Sequence, residues 1–416
     1  MDLITIIVLS VSFILLLFSS CLILIFLDNY QLMWQTPKAN KKRFITAIIP
    51  AFNEEKYIEK TVLSVYDQEY DKRFFEIIVV NDGSTDNTKK ICQRLEKKGI
   101  IKLLNKKNGG KASAINHGLK QAKGELVFTL DADSYADKNC FNNLVGYFND
   151  SKVAAVSSSM KVVDSKGLFR KMQWLEYSFS IMMRKVQSLF NALYVTPGPG
   201  SMYRRAVLAE VGGFKETVLT EDMEIAFNIQ NHNYLIEHSL TSLVYTNTPP
   251  TFMGLFKQRK RWYTGSIEDA LSYKHFFLNK SKGMLGCFLL PINWISIFSV
   301  VGLSIYYSLK FVDFLFSKFL EFKLINFEIL YTKLDLSFIF FNIQYVSIIL
   351  LCLGIYSTIV LYFSLKVCDE RTELRNNAGY FFFYLFFYST FQSLFWIVSF
   401  INKLIFRRNN MVGWKQ

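Results

Sequence analysis

The sequence predicts an α/β domain with a mostly parallel sheet, carried by transmembrane helices. Three observations lead there: a composition unusually apolar for a soluble chain, the confinement of that apolarity to long runs near the two ends, and a middle stretch where strand and helix patterns alternate. Of the 416 residues, 51% are hydrophobic, with 40 Phe and 22 Tyr. Runs at 3–27, 285–309, 336–365 and 380–406 can each cross a hydrocarbon core of about 30 Å at about 1.5 Å per helical residue.

The first run lacks a basic n-region and a small-residue cleavage site and is long for a signal peptide, so 1–37 is expected to be a retained transmembrane anchor. Lys38, Lys41, Lys42 and Arg43 follow it, and Lys274, Lys280 and Lys282 precede the second run. The positive-inside tendency then sets the middle domain, 38–250, in the cytoplasm and the chain start outside.

Within that domain the apolar, β-rich run 44–52 predicts a first strand, 54–68 a helix, 76–80 a second buried strand and 86–97 a second helix. A short strand at 101–104, a helix over 111–121 and a strand at 125–130 continue the alternation, and 168–190 reads as a long helix. The region 251–284 mixes aromatic and basic residues and predicts amphipathic helices at the membrane interface. In the C-terminal transmembrane region, 285–416, the stretch 311–335 carries Asp313, Lys318, Glu321, Lys323, Glu328 and Lys333. Its charges predict an interfacial or external segment, at about 2.5–3.5 kcal/mol for each one placed at a bilayer centre. Four spans leave Arg407 and Arg408 outside, against the positive-inside tendency.

A net charge of +14 admits nucleic acid, acidic lipid or an anionic small molecule as partner. No zinc-finger or RNA-recognition pattern is present, and the basic residues cluster beside apolar runs, so nucleic acid is not expected and membrane lipid is. The six cysteines form no C-x-x-C pair, and Cys21, Cys287 and Cys352 fall inside apolar runs, which points to packing rather than disulfides or zinc.

Ligands of such sheets bind at the carboxyl ends of the strands. Those ends carry Asn53-Glu54-Glu55, then Asn81-Asp82-Gly83-Ser84-Thr85-Asp86, then Asp131-Ala132-Asp133. Asp131 and Asp133 can hold Mg2+ or Mn2+ through hard oxygen ligands, or can simply cap the next helix. Gly83 allows a tight turn and Ser84 or Asp86 can cap a helix, which leaves Asp82 to accept hydrogen bonds from a base or ribose. Asn108-Gly109-Gly110-Lys111 is not a phosphate loop, because the upstream glycine and the Ser or Thr after the lysine are missing, although Lys111 at a helix start could touch a donor. Thr220-Glu221-Asp222 opens a helix, either as a plain cap or with Asp222 as general base towards an acceptor hydroxyl. Gln258-Arg259-Lys260-Arg261-Trp262 is either a basic interfacial helix or a site where Arg261 neutralises a leaving diphosphate and Trp262 stacks on a sugar.

In this order, these strings resemble glycosyltransferase family 2, in its membrane-embedded branch of poly-N-acetylglucosamine, hyaluronan, chitin and cellulose synthases. The matching residues are Pro50-Ala51-Phe52-Asn53-Glu54, the 81–86 and 108–111 strings, Asp131-Ala132-Asp133, Gly198 with Gly200-Ser201, Thr220-Glu221-Asp222, and Gln258 with Arg261-Trp262. The resemblance implies a GT-A-like fold, a UDP-sugar donor, and a divalent metal on Asp133 with Asp131 beside it. It implies Asp82 at the uridine, with Pro50, Asn53, Glu54, Lys111, Asp131 and Arg259 on the donor side. Asp222 would be the base, assisted by Glu221 and Arg261, with Gly200, Ser201, Gln258 and Trp262 on the acceptor side.

The Gln-x-x-Arg-Trp string accompanies processive synthesis and export in these relatives, sometimes with an accessory membrane subunit. Two departures stand out: one span precedes the domain where many relatives have two, and no F-x-V-T-x-K string occurs. A second expectation is therefore transfer of a single sugar to a lipid-linked acceptor such as polyprenyl phosphate or diacylglycerol. A third, of another class, is a nucleotide-binding membrane scaffold, against which the retention of Asp131, Asp133 and Asp222 argues.

Overall fold

The computed structural model describes residues 3–324, 345–370 and 377–405. Eight strands form one sheet: β1 Ile45–Ala51, β2 Phe75–Asn81, β3 Lys102–Asn105, β4 Leu126–Thr129, β5 Ser134–Ala136, β6 Val153–Val162, β7 Ser201–Arg204 and β8 Leu235–Thr246. Their spatial order is β3-β2-β1-β4-β7-β6-β8-β5. The pairs β1/β2, β1/β4, β2/β3 and β6/β8 are parallel, whereas β4/β7, β6/β7 and β5/β8 are antiparallel.

Side chains alternate across a strand, and here both faces are covered, so the central strands are apolar throughout. Ile45, Ala47 and Ile49 of β1 join Ile77, Val79 and Phe128 in one core. Ile48 joins Ile78, Val80, Val127 and Tyr203 in the other. The main helices around the sheet are α1 Leu3–Asp28, α2 Ile58–Tyr66, α3 Thr88–Lys97, α4 Lys111–Leu119, α5 Leu168–Ser188, α6 Glu221–Asn231 and α7 Phe252–Ser272, with α1 meeting the domain through Phe18, Leu22, Ile25 and Phe26.

The topology fixes where polar side chains gather. The carboxyl ends of β1, β2 and β4 lie at one edge because these strands are parallel. Antiparallel β7 brings its beginning to the same edge, with Ser201 opposite Thr129. The loop 195–200 and the start of α6 therefore stand beside Asp131.

Towards the C-terminus come α8 Leu290–Leu324, α9 Tyr345–Val367 and α10 Ser389–Phe400, the last preceded by a π-helical turn, Tyr384–Tyr388. Among the described residues two helical stretches, Leu9–Asp28 and Leu285–Ser317, are long and apolar enough to cross a membrane. The first part of the charged stretch 311–335 continues α8, which runs unbroken through Asp313, Lys318 and Glu321 to Leu324, since no proline interrupts its backbone hydrogen bonding there. The remainder of that segment, the start of the run at 336–365, and Arg407 with Arg408 lie outside the described residues. The expected amphipathic helix, α7, packs along α10, where Tyr263 stacks on Trp396 with centroids 4.2 Å apart; just beyond α10, Lys403 pairs with Glu268 at 2.6 Å.

Candidate active site

A cavity of about 840 Å³ opens at the strand edge and continues between α7, α8 and α10. Glu54, Lys111, Asp131, Asp133, Glu221, Asp222, Gln258, Arg261 and Trp262 all line it. Its centre is a lysine held between acids of different elements. Gly110, at φ 89°, turns the chain into α4 so that Lys111 opens the helix. The Lys111 Nζ lies 2.6 Å from Asp131 Oδ1 and 3.0 Å from Glu221 Oε1. Burial works against its charge, but Asp131, Glu221 and Asp222 outweigh that and hold its pKa above the ordinary lysine value. Gly198 keeps this space open: a Cβ there would sit 2.2 Å from Lys111 Nζ and 3.3 Å from both Asp131 carboxylate oxygens.

Asp222 lies in the first turn of α6. Its Oδ1 accepts from Met223 N (3.0 Å) and its Oδ2 from Gly198 N (3.4 Å), while its carbonyl accepts from Thr196 N and Oγ1 at 3.2 and 2.9 Å. Burial and the neighbouring Glu221 push its pKa up to about 6, against the opposing pull of Lys111 and Arg261. Glu221 moves the other way: burial disfavours its charge, but Lys111 and Arg261 prevail and lower its pKa. One helix start thus holds an acid kept ionised and, next to it, a carboxylate suited to proton exchange near neutrality.

Across the lysine, burial and Asp131 raise Asp133 to about 6, while Ser134 Oγ donates to its Oδ1 at 3.0 Å. Burial, then Asp133, Asp131 and Asp86, raise Glu54 to about 8. Crowded carboxylates of this kind gain from a nearby cation. No group of three or more His, Cys, Asp or Glu side chains able to hold a metal occurs among the described residues. Asp133 and Asp131, two crowded carboxylates at one strand end, could hold an ion such as Mg2+ or Mn2+ that takes one or two carboxylates and completes its shell with phosphate oxygens and water.

Several expected site residues stand elsewhere. Asp82 is not left free: it is fully buried, and its carboxylate accepts from Lys106 Nζ (2.7 Å), Gly109 N (3.0 Å) and Gly110 N (2.8 Å), which ties down the loop leading into Lys111. Asn53, at φ 56°, accepts from Thr85 N at 2.8 Å and so joins the loops after β1 and β2 without lining the cavity. Pro50 is buried inside β1 opposite Val80. Gly200 and Ser201 also fall outside the cavity; a Cβ on Gly200 would meet Val244 at 2.4 Å, and Ser201 Oγ donates to Pro197 O at 2.7 Å. Arg259 is corrected most sharply. It is wholly buried and turned towards α5, because Gln258, Arg261 and Trp262 at i, i+3 and i+4 occupy the cavity face of α7.

The sequence reading missed the contribution of α5 and of the apolar helices. Glu176, Tyr177, Ser180 and Arg184 line the cavity from α5, and Asn293, Trp294 and Trp396 from α8 and α10. Arg184 has no ion pair or hydrogen bond among the described residues. The spacing of Tyr177, Ser180 and Arg184 at i, i+3 and i+7, which puts polar groups on one face of α5, was the signal available for it.

Residues 46–212 match the family described as glycosyl transferase family 2. This stretch resembles family 2, and the chain is a glycosyltransferase. It is 29% identical over 364 residues to the poly-beta-1,6-N-acetyl-D-glucosamine synthase of Staphylococcus epidermidis, covering 85% of this chain and 81% of that one. To the enzyme of the same name from Staphylococcus aureus strain COL it is 31% identical over 230 residues, 55% of each chain. Among solved structures, the mannosyltransferase PcManGT of Pyrobaculum calidifontis, determined with GDP-Man and Mn2+, superposes with a TM-score of 0.59 at 17% identity, covering 96% of this chain and all of that one. The glycosyltransferase shares its GT-A fold, as the α/β expectation required.

Proposed function

We propose that this glycosyltransferase moves a sugar, N-acetylglucosamine or a related hexose, from a UDP-sugar to a growing polysaccharide with inversion at the anomeric carbon, on the cytoplasmic face of the membrane. The observation that carries this is a single cavity in which Asp222 stands between the Lys111–Asp131–Glu221 cluster and the Gln258–Trp262 wall. The names of the staphylococcal relatives support a polymer of N-acetylglucosamine as product.

In this mechanism Asp133, with Asp131, would hold Mg2+ or Mn2+, which when bound supplies neutralisation of the leaving diphosphate. Lys111 and Arg261 add fixed positive charge on the same side. Asp222, oriented by the Met223 and Gly198 N–H groups, takes the proton from the acceptor hydroxyl as that oxygen attacks opposite the departing nucleotide. Trp262 offers an apolar ring face to the acceptor sugar and Gln258 a polar group beside it. Continuation of the cavity along α8 and α10 supports processive synthesis coupled to passage of the product between these helices.

Transfer to a lipid acceptor is the second reading. It is favoured by an apolar groove of about 360 Å³ between α1, α5, α9 and α10, which shares Gln392 with the main cavity. The test is full-length protein in lipid nanodiscs, incubated with a panel of nucleotide sugars and Mg2+ or Mn2+, with products sized before and after mild acid. Long acid-stable polymer from UDP-N-acetylglucosamine is expected. Acid-labile single-sugar lipid as sole product would replace the first reading with the second, and no transfer from any donor would overturn both.

A further inference from the structure

Among the described residues, Arg259 is the largest fully buried side chain. Burying a guanidinium costs several kcal/mol even when it is paired, and replacing such a pair by apolar side chains is often neutral or better for stability, so stability alone does not account for it. Its contacts point to another use. Nη1 donates to Gln258 Oε1 at 2.6 Å, Nη2 donates to Glu176 Oε2 at 2.5 Å, and the guanidinium carbon lies 4.2 Å from the centroid of the Trp262 ring. Gln258 and Trp262 both line the cavity, and Arg259 does not.

The guanidinium therefore fixes two wall residues at once. With its oxygen engaged by Arg259, the Gln258 amide keeps its two N–H donors for the cavity. A planar cation over the indole holds the ring's plane and leaves its opposite face for a ligand. A lysine could supply the charge but not the fork or the stacking.

The same carboxylate oxygen that Arg259 holds also accepts from Tyr388 OH at 2.7 Å. Tyr388 ends the π-helical turn 384–388, and the helix that follows it, α10, brings Gln392 and Trp396 to the cavity wall. A shift of this turn would draw on Glu176, then on Arg259, then on both wall residues.

We propose that Arg259 is the positioning residue that presents Gln258 and Trp262 to the acceptor, and that Tyr388 reaches the same pair through Glu176, so that the α10 side of the cavity and the acceptor site move together. This rests on the acceptor role given above to Gln258 and Trp262.

Full-length protein carrying 5-fluorotryptophan, in lipid nanodiscs, tests it. The six tryptophans give six fluorine resonances, of which Trp262→Phe identifies one. Arg259→Lys and Tyr388→Phe should both move the Trp262 resonance, although Tyr388 does not touch that ring. A pentamer of β-1,6-linked N-acetylglucosamine should bind Arg259→Lys about tenfold more weakly, the scale of one lost charge-assisted hydrogen bond, with UDP affinity within about twofold of the unmodified protein. A Trp262 resonance unmoved in Tyr388→Phe overturns the link to α10, and pentamer affinity unchanged in Arg259→Lys overturns the positioning role. If the unmodified protein does not bind the pentamer, the acceptor reading fails, and the Trp262 resonance in the two variants decides the positioning separately. Should Arg259→Lys not fold, Tyr388→Phe, which removes one oxygen only, decides both by its resonance and its pentamer affinity.

Discussion

Replacing Asp222 by Asn removes the proposed base while sparing the geometry around it. An amide oxygen can still accept from Met223 N, which now lies 3.0 Å from Oδ1, so the first turn of α6 should hold. What disappears is the proton acceptor, worth roughly 100- to 10,000-fold, or about 2.7–5.4 kcal/mol of barrier. Donor binding should survive, because one negative charge fewer beside Lys111 and Arg261 favours an anionic diphosphate. Single-turnover transfer in nanodiscs, with UDP affinity measured by calorimetry on the same protein, separates the two effects. The acid limb of the unmodified enzyme supplies an internal check: the base works when ionised, and a pKa near 6 leaves roughly nine-tenths of it active at pH 7 and one-tenth at pH 5. Turnover of the Asn variant within about threefold of the unmodified rate would refute the assignment, since general-base catalysis accounts for at least about 100-fold.

Three further substitutions test the surrounding design. Lys111→Gln removes the cation that pulls Asp222 down, so the acid limb of the pH–rate profile should move above pH 6; an unmoved limb contradicts the electrostatic account. Asp133→Asn should weaken Mn2+-dependent UDP binding by at least about tenfold in calorimetry, whereas metal-independent binding should change little. Asp82→Asn keeps an acceptor but loses the charge that gathers Lys106, Gly109 and Gly110, and the donor KM should rise by about tenfold, the scale of one charge-assisted hydrogen bond.

Asp269 is buried against Thr220, and burial pushes its carboxyl up to about 8. A raised acid of this kind contributes stability that is complete below the unfolded pKa near 4 and is lost as pH climbs through about 8. Asp269→Asn should therefore raise the thermal midpoint at pH 8.5, on the order of 2–4 °C per kcal/mol relieved, and have little effect at pH 4.5. An equal shift at both pH values would contradict the buried-charge account.

Strands β1 to β4 were legible in the sequence because each is a short apolar run bounded by turn residues. The other half of the sheet was hidden. Strand β6 carries Ser157, Ser158 and Ser159, all buried, whose hydroxyls hide the apolar pattern of a strand until their partners are known. Those partners come from a distant part of the chain: Ser157 Oγ lies 2.8 Å from His238 Nδ1, and Ser158 and Ser242 hydroxyls are 2.9 Å apart. Pattern reading cannot see compensation across some eighty residues. Of the site, the acids at strand ends were visible because topology alone sends them to one edge. Their pairing was not: charge identifies Asp82 and Arg259 as noteworthy, but only loop closure and helix phase decide that one faces Lys106 and the other Glu176.

One wall of the candidate site's cavity, through Leu290, Asn293 and Trp294, belongs to a helix whose stretch Leu285–Ser317 can span a bilayer. Such a helix answers to its surroundings, tilting when its apolar length exceeds the local hydrocarbon thickness. Acyl-chain length then becomes a variable of the enzyme itself, and turnover compared between thin and thick bilayers reports on the shape of the sugar's seat as directly as any substitution. A domain cut away from these helices, or one held in a short-chain detergent micelle, is to that extent a different catalyst.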